Sequence, residues 1–103
     1  MKKICVLKAS PRKGGNTYSL LTVMTEELKK HDCQVVELDL YDMKINSCIA
    51  CRECQKDWSK VYCVQNDDFK KVAEAVMDSD LILLASPIYS WYCTPPMKAT
   101  LDR

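Results

Sequence analysis

The chain has 103 residues, a mass of 11.8 kDa and a formal net charge of +1. A chain of this size forms one domain at most, and scaling gives roughly 5,900 Å² of folded surface with about 65% of the unfolded surface buried. With 48% hydrophobic and 28% charged residues it reads as soluble and globular, the near-neutral charge gives no general steering toward nucleic acid, and the longest apolar run, Leu81 to Ala85, falls far short of the ~20 residues of a membrane span.

Lys3 to Leu7 is apolar and bounded by a turn, the pattern of a strand covered on both faces. After Met1-Lys2-Lys3 comes only the apolar Ile4-Cys5-Val6-Leu7, too short for a signal-peptide core. The seven cysteines are an odd number without an export signal, so reduced thiols and a cytoplasmic location are expected. Cys5 and Cys33 lie in strand-like segments and are expected to be core residues.

Next comes Ala9-Ser10-Pro11-Arg12-Lys13-Gly14-Gly15-Asn16-Thr17, which holds both glycines of the chain. Asn16 or Thr17 can cap a helix. Leu20, Leu21, Met24 and Leu28 follow at helical spacing, and Lys29-Lys30-His31 supply cations suited to a helix C-terminus. Val35, Val36, Leu38 and Leu40 mark a second strand. Residues 42–66 are irregular and hold four cysteines. Asp67-Asp68 opens a helix whose apolar positions are Phe69, Val72, Ala73 and Val76. Leu81 to Ala85 reads as a third, wholly buried strand. A second Ala-Ser-Pro follows at 85–87, then Ile88-Tyr89-Ser90-Trp91-Tyr92, and Pro95-Pro96 starts a last helix. The order β-α-β-loop-α-β-α implies parallel strands with helical crossovers in a single unit spanning residues 1–103.

The first loop joins a buried strand to a helix N-terminus, where unpaired amides and partial positive charge favour phosphate. Ser10, Asn16 and Thr17 add neutral donors, Arg12 and Lys13 add cationic ones, and no acid occurs before Glu26. Adjacent glycines alone fit neither the Walker loop nor the G-x-G-x-x-G dinucleotide fingerprint. A cysteine phosphatase would need its thiol at the loop, whereas Cys5 lies within the strand.

These residues resemble a family. Ala9 to Thr17 is similar to the G-S-P-R-x-x-G-N-T loop of flavodoxin-like NAD(P)H-dependent FMN reductases and iron-sulfur flavoproteins. Ser86-Pro87-Ile88-Tyr89, followed by Pro96-Met97-Lys98-Ala99-Thr100-Leu101-Asp102-Arg103, is similar to their second signature. The resemblance implies a flavodoxin-like three-layer α/β/α sandwich with a parallel sheet. It implies that Ser10, Arg12, Asn16 and Thr17 bind the FMN phosphate, with Gly15 giving backbone access. It implies that Pro87, Ile88, Tyr89, Ser90 and Trp91 lie along the flavin ring. In the flavodoxin-like strand order the first and third strands are neighbours at the ligand-binding switch point, and the two Ala-Ser-Pro turns end those strands.

Three departures follow. Ala9 replaces the usual Gly, and Ser90-Trp91 stands where the family often has Trp-Gly. The family fold continues with two further strands, so the sandwich is expected to be truncated after its third strand. Leu81 to Ala85 then becomes a hydrophobic sheet edge, which invites a homo-oligomer or a missing C-terminal half.

Cys48, Cys51, Cys54 and Cys63 read C-x2-C-x2-C-x8-C, and three thiols at such spacing can wrap a metal cluster. Iron-sulfur flavoproteins hold a [4Fe–4S] cluster on a similar motif with a shorter last gap. Zinc on four thiolates and free or interface thiols stay open beside it. His31 is expected to be a solvated helix-end residue, and Cys93 a packing or redox thiol.

The expected function is FMN-dependent redox chemistry, with NAD(P)H as donor and a small molecule or protein as acceptor. The cofactor would carry the chemistry, so no catalytic side chain is expected. The alternatives are an electron carrier built on an iron-sulfur cluster and a non-enzymatic fragment that assembles through its third strand.

Overall fold

The computed structural model describes residues 1–60 and 62–103. Strand β1 (Lys2–Lys8) forms the middle of a parallel three-stranded sheet, between β2 (Cys33–Asp39) and β3 (Leu81–Ala85). Ile4 pairs with both Val35 and Leu81, and Lys8 with both Asp39 and Ala85. Parallel neighbours require crossover connections. Helices α1 (Asn16–Lys29) and α2 (Phe69–Met77) lie in those crossovers, and α3 (Pro95–Leu101) begins with both prolines in its first turn. The β2-β1-β3 order and the layering are those of the flavodoxin-like sandwich expected from the sequence.

Alternation along β1 divides the core in two. Cys5, Leu7 and Ala9 join Leu40, Val72 of α2 and Met97 of α3 on one face. Ile4 and Val6 join Leu21 of α1 on the other. Four consecutive buried residues, Ile4 to Leu7, are what a strand covered on both faces requires. Cys5 is fully buried as expected, and burial pushes its thiol pKa up. Cys33 is only half-buried.

Two packing expectations are corrected. Leu21 and Thr25 face the sheet from α1, whereas Leu20 and Met24 are exposed together with Val23. The apolar set is wider than the buried stripe, so its spacing alone did not single out the inner positions. Strand β3 is not wholly buried: Leu81 is 49% and Leu84 53% exposed, because among the described residues no strand pairs with its outer edge. The chain exposes 7183 Å², against roughly 5,900 Å² for a typical domain of its mass. Its radius of gyration is 14.5 Å, where about 13 Å is usual.

Candidate functional site: two turns and a cysteine loop

The two Ala-Ser-Pro turns lie side by side at the carboxyl ends of β1 and β3. The Ala9 amide donates to the Ala85 carbonyl at 2.8 Å, which extends the ladder one step beyond the strands. Thr94, fully buried just before α3, closes the arrangement. Its hydroxyl donates to the Ala9 carbonyl at 2.8 Å, and its amide donates to the Ser86 hydroxyl at 3.0 Å. The loop after β1 and the loop after β3 are thereby held at a fixed spacing.

In the first loop the buried Ser10 hydroxyl accepts from the Arg12 amide at 3.2 Å, and the Gly15 amide donates to the Arg12 carbonyl at 3.1 Å. Gly15 is the residue from which α1 starts, and no side chain caps it. The expectation that Asn16 or Thr17 caps the helix is therefore corrected: both lie inside it. The first turn holds no acid, so its leading amides face outward without an intrahelical acceptor. A Cβ on Gly15 would come within 3.2 Å of the Arg12 Cβ and 3.3 Å of its carbonyl oxygen, so the absence of a side chain lets the turn close. Arg12 is exposed and has no ion-pair partner among the described residues.

Lys13 does not stand beside Arg12 as a second anion donor. Its Nζ lies 2.7 Å from Asp39 and 2.6 Å from Asp42. Tyr18 also donates to Asp39, at 2.6 Å. Hydrogen bonds to Asp39 and then Asp42 raise the Lys13 pKa, so it stays protonated. Burial alone would raise the Asp39 carboxyl, but bonds from Lys13, Tyr18 and the Tyr41 amide hold it below its ordinary value. Burial and then Asp39 push the Tyr18 phenol up. Lys13 thus ties the loop to the end of β2.

The loop after β3 folds into a tight hairpin. The Tyr89 amide donates to the Tyr92 carbonyl at 2.7 Å, and the Tyr92 amide donates back at 2.9 Å. Between them Ser90 and Trp91 have φ of 47° and 69°, the left-handed sign at both central positions of a turn that normally selects glycine or asparagine. Trp91 is 98% exposed, and Ile88 and Tyr92 are also exposed. Burial and next the neighbouring Tyr89 raise the pKa of Tyr41, which places these two phenols together. Ser10, Arg12 and Gly15 therefore lie on one loop, with Asn16 and Thr17 in the first turn of the helix it leads to, and Pro87, Ile88, Tyr89, Ser90 and Trp91 lie on the neighbouring loop. Cys93 is half-buried and packs against the core.

Cys48, Cys51, Cys54 and Cys63 line one cavity of about 250 Å³. Among the described residues no three metal-ligating side chains converge as a single ion would require. The loop between the first thiols coils through left-handed residues, Ala50 at φ 55° and Arg52 at φ 64°. That coil lets the Ala50 amide donate to the Cys48 sulfur at 3.4 Å. All seven cysteines are free thiols.

Residues 2–103 match the family described as NADPH-dependent FMN reductase. The chain belongs to that family. Two proteins called iron-sulfur flavoprotein, both from Archaeoglobus fulgidus, are 37% and 35% identical to it over 103 residues. The matches cover 100% and 98% of this chain but 45% and 48% of those proteins, so the chain spans about half the length of the curated relatives it matches. An NAD(P)H:quinone oxidoreductase from Methanothermobacter marburgensis superposes with a TM-score of 0.78 at 21% identity, over 99% of this chain and 52% of that one. An azoreductase from Bacillus anthracis gives a TM-score of 0.73 at 18% identity, over 99% and 54%. Among the described residues no helix is long and apolar enough to cross a membrane.

Two members of the candidate site in this FMN reductase-family chain escape sequence reasoning. Thr94 carries no motif of its own and matters only because the fold brings Ala9 and Ser86 to it. Arg103, at the end of the second signature, reaches back to Asp67 at 2.7 Å and to Cys63 at 3.2 Å. The signature itself marked the position, but its spacing says nothing of that contact.

Proposed function

We propose that the chain is the FMN-binding part of an oxidoreductase that uses NAD(P)H to reduce a small acceptor or passes electrons to a partner. The observation that carries this is the juxtaposition of the two turns: the loop that leads to an uncapped, acid-free helix start and the loop that holds an exposed aromatic hairpin leave neighbouring strands, whose ends are joined by the 2.8 Å Ala9–Ala85 bond. The phosphate of FMN would lie on the leading amides of α1, with Arg12, Asn16 and Thr17 around it and Ser10 shaping the turn. Pro87 to Trp91 would flank the ring, partly through backbone groups. FMN, when bound, supplies the hydride and electron chemistry. The protein anchors the phosphate, orients the ring and needs no side chain as acid or base.

Titration with FMN and with riboflavin tests this directly. FMN is expected to bind with quenched flavin fluorescence, and riboflavin to bind more weakly for lack of the phosphate. Equal affinities, or no binding of either, would remove the assignment of the first loop.

The cysteine loop supports a second reading, an iron-sulfur centre held by Cys48, Cys51, Cys54 and Cys63. Four thiols on one cavity and an amide already donating to sulfur fit that donor chemistry. Such a centre would supply one-electron transfer. Zinc would need the same thiolates gathered on one ion, and among the described residues no three metal-ligating side chains converge in that way. Anaerobic protein that is brown, with about four irons per chain, would support the cluster, and colourless iron-free protein would remove it.

The open edge of β3 supports a third element, assembly with a second copy or with a separately supplied C-terminal half. Light scattering distinguishes this from a stable monomer.

A further inference from the structure

We propose that Arg103 is the positioning residue of the cysteine site, pinning Cys63 from outside its loop and donating an N–H bond to the sulfur. The proposal rests on the cluster reading given above.

Cys48, Cys51 and Cys54 are neighbours in one coiled segment, so local backbone fixes their relative placement. Cys63 follows an eight-residue gap with no glycine, and local backbone does not fix it. Its placement comes instead from Arg103, two residues beyond the end of α3. The Arg103 side chain is 1% exposed and its partner Asp67 2%. One end of the guanidinium donates to Asp67 at 2.7 Å and to the Asn46 carbonyl at 3.0 Å. The other end donates to the Cys63 sulfur at 3.2 Å. The flat face lies 4.6 Å from the centre of the Phe69 ring. Arg103 therefore binds both flanks of the cysteine loop, Asn46 before it and Asp67 after it.

The chemistry of these contacts points to a thiolate site. A guanidinium is buried with its counter-ion, yet one of its ends is spent on sulfur, a weak acceptor as a thiol and a strong one as a thiolate. Its Nε is buried with no hydrogen-bond partner among the described residues. The same side chain lines the cavity shared by the four cysteines. Asp67 balances the charge, so the contribution to Cys63 is directional: a rigid fork that sets where the sulfur sits. Lysine lacks that fork. Partners one shell beyond metal ligands orient them, and their loss weakens metal retention about 10- to 100-fold.

The test loads the full chain anaerobically with ferrous iron and sulfide, then measures iron per chain, iron loss to a chelator and the midpoint potential. Arg103→Lys, Asp67→Asn and the charge-matched pair Arg103→Met with Asp67→Asn are compared with the unaltered protein, after far-UV dichroism has matched their folds. Arg103→Lys and the double variant are expected to lose iron at least about tenfold faster, with a more negative midpoint because the guanidinium N–H bond to the Cys63 sulfur is gone. Asp67→Asn alone should keep the loss rate, since the contact to Cys63 survives. In a Cys63→Ser background Arg103→Lys should add no further loss. Equal retention in folded Arg103 variants, or the same added loss in the Cys63→Ser background, overturns the role of Arg103 and leaves the cluster reading standing. An unaltered protein that takes up no iron overturns both.

Discussion

The Thr94 hydroxyl donates to the Ala9 carbonyl at 2.8 Å, joining residues 85 positions apart and with them the two loops of the proposed flavin site. Thr94 is fully buried, and its amide and hydroxyl both serve the ends of neighbouring strands. Thr94→Val keeps the shape but leaves the buried Ala9 carbonyl without its donor. It is expected to cost about 1–3 kcal/mol in chemical denaturation. Thr94→Ser, which keeps the hydroxyl, should lose less, and equal losses would assign the effect to packing.

Arg12 and Lys13 are adjacent but differ in what they face. Arg12 is free, whereas Lys13 is held by Asp39 and Asp42. Arg12→Ala is expected to weaken FMN binding about tenfold or more, the usual value of a charged hydrogen bond, and to leave riboflavin binding unchanged. Lys13→Ala should have the smaller effect on FMN. Isothermal titration with both ligands checks this, and a larger loss for Lys13 would show that it leaves Asp39 when phosphate arrives.

Strain in the hairpin predicts a gain of stability. Trp91 has φ of 69° and buries almost nothing. A left-handed non-glycine residue costs about 1–2 kcal/mol, and glycine's greater freedom when unfolded offsets about half of that. Trp91→Gly is expected to raise stability by about 0.5–1 kcal/mol, read from the urea midpoint, while weakening any stacking on the flavin ring. An unchanged midpoint would mean that other contacts hold the turn.

Acid should unfold the protein partly through Asp67. The Arg103 guanidinium lowers its carboxyl from 3.8 to about 2, with burial opposing and the Asn46 and Phe69 amides assisting. A folded value below the unfolded one adds stability that is complete above about pH 4 and fades as pH falls toward 2. Asp67→Asn is expected to flatten the melting temperature between pH 5 and pH 2. A variant that keeps the full acid dependence would shift the cause to other carboxylates.

The fold was legible because the middle of β1, Ile4 to Leu7, is an unbroken apolar run and two matching turns follow the first and third strands. Period and turn chemistry carry that information locally. Which face of α1 is buried was less legible, since Leu20 and Met24 extend the apolar set beyond the inner stripe. The first loop was legible as a helix start free of acids, but the partner of Lys13 was not. Asp39 and Asp42 lie 26 and 29 residues away and meet it only once β2 has paired with β1. The same holds for Thr94 and Arg103, whose contacts are products of tertiary closure.

Among the described residues strand β1 is the one strand paired on both sides and covered on both faces, and the proposed phosphate loop hangs from its end. Its amides should therefore be the last to exchange with deuterium, and those at the unpaired margin of β3 among the first. The cofactor would then be suspended from the slowest-opening segment of the molecule. Partial opening at the margin, enough to admit another polypeptide, would proceed without loosening the phosphate anchor.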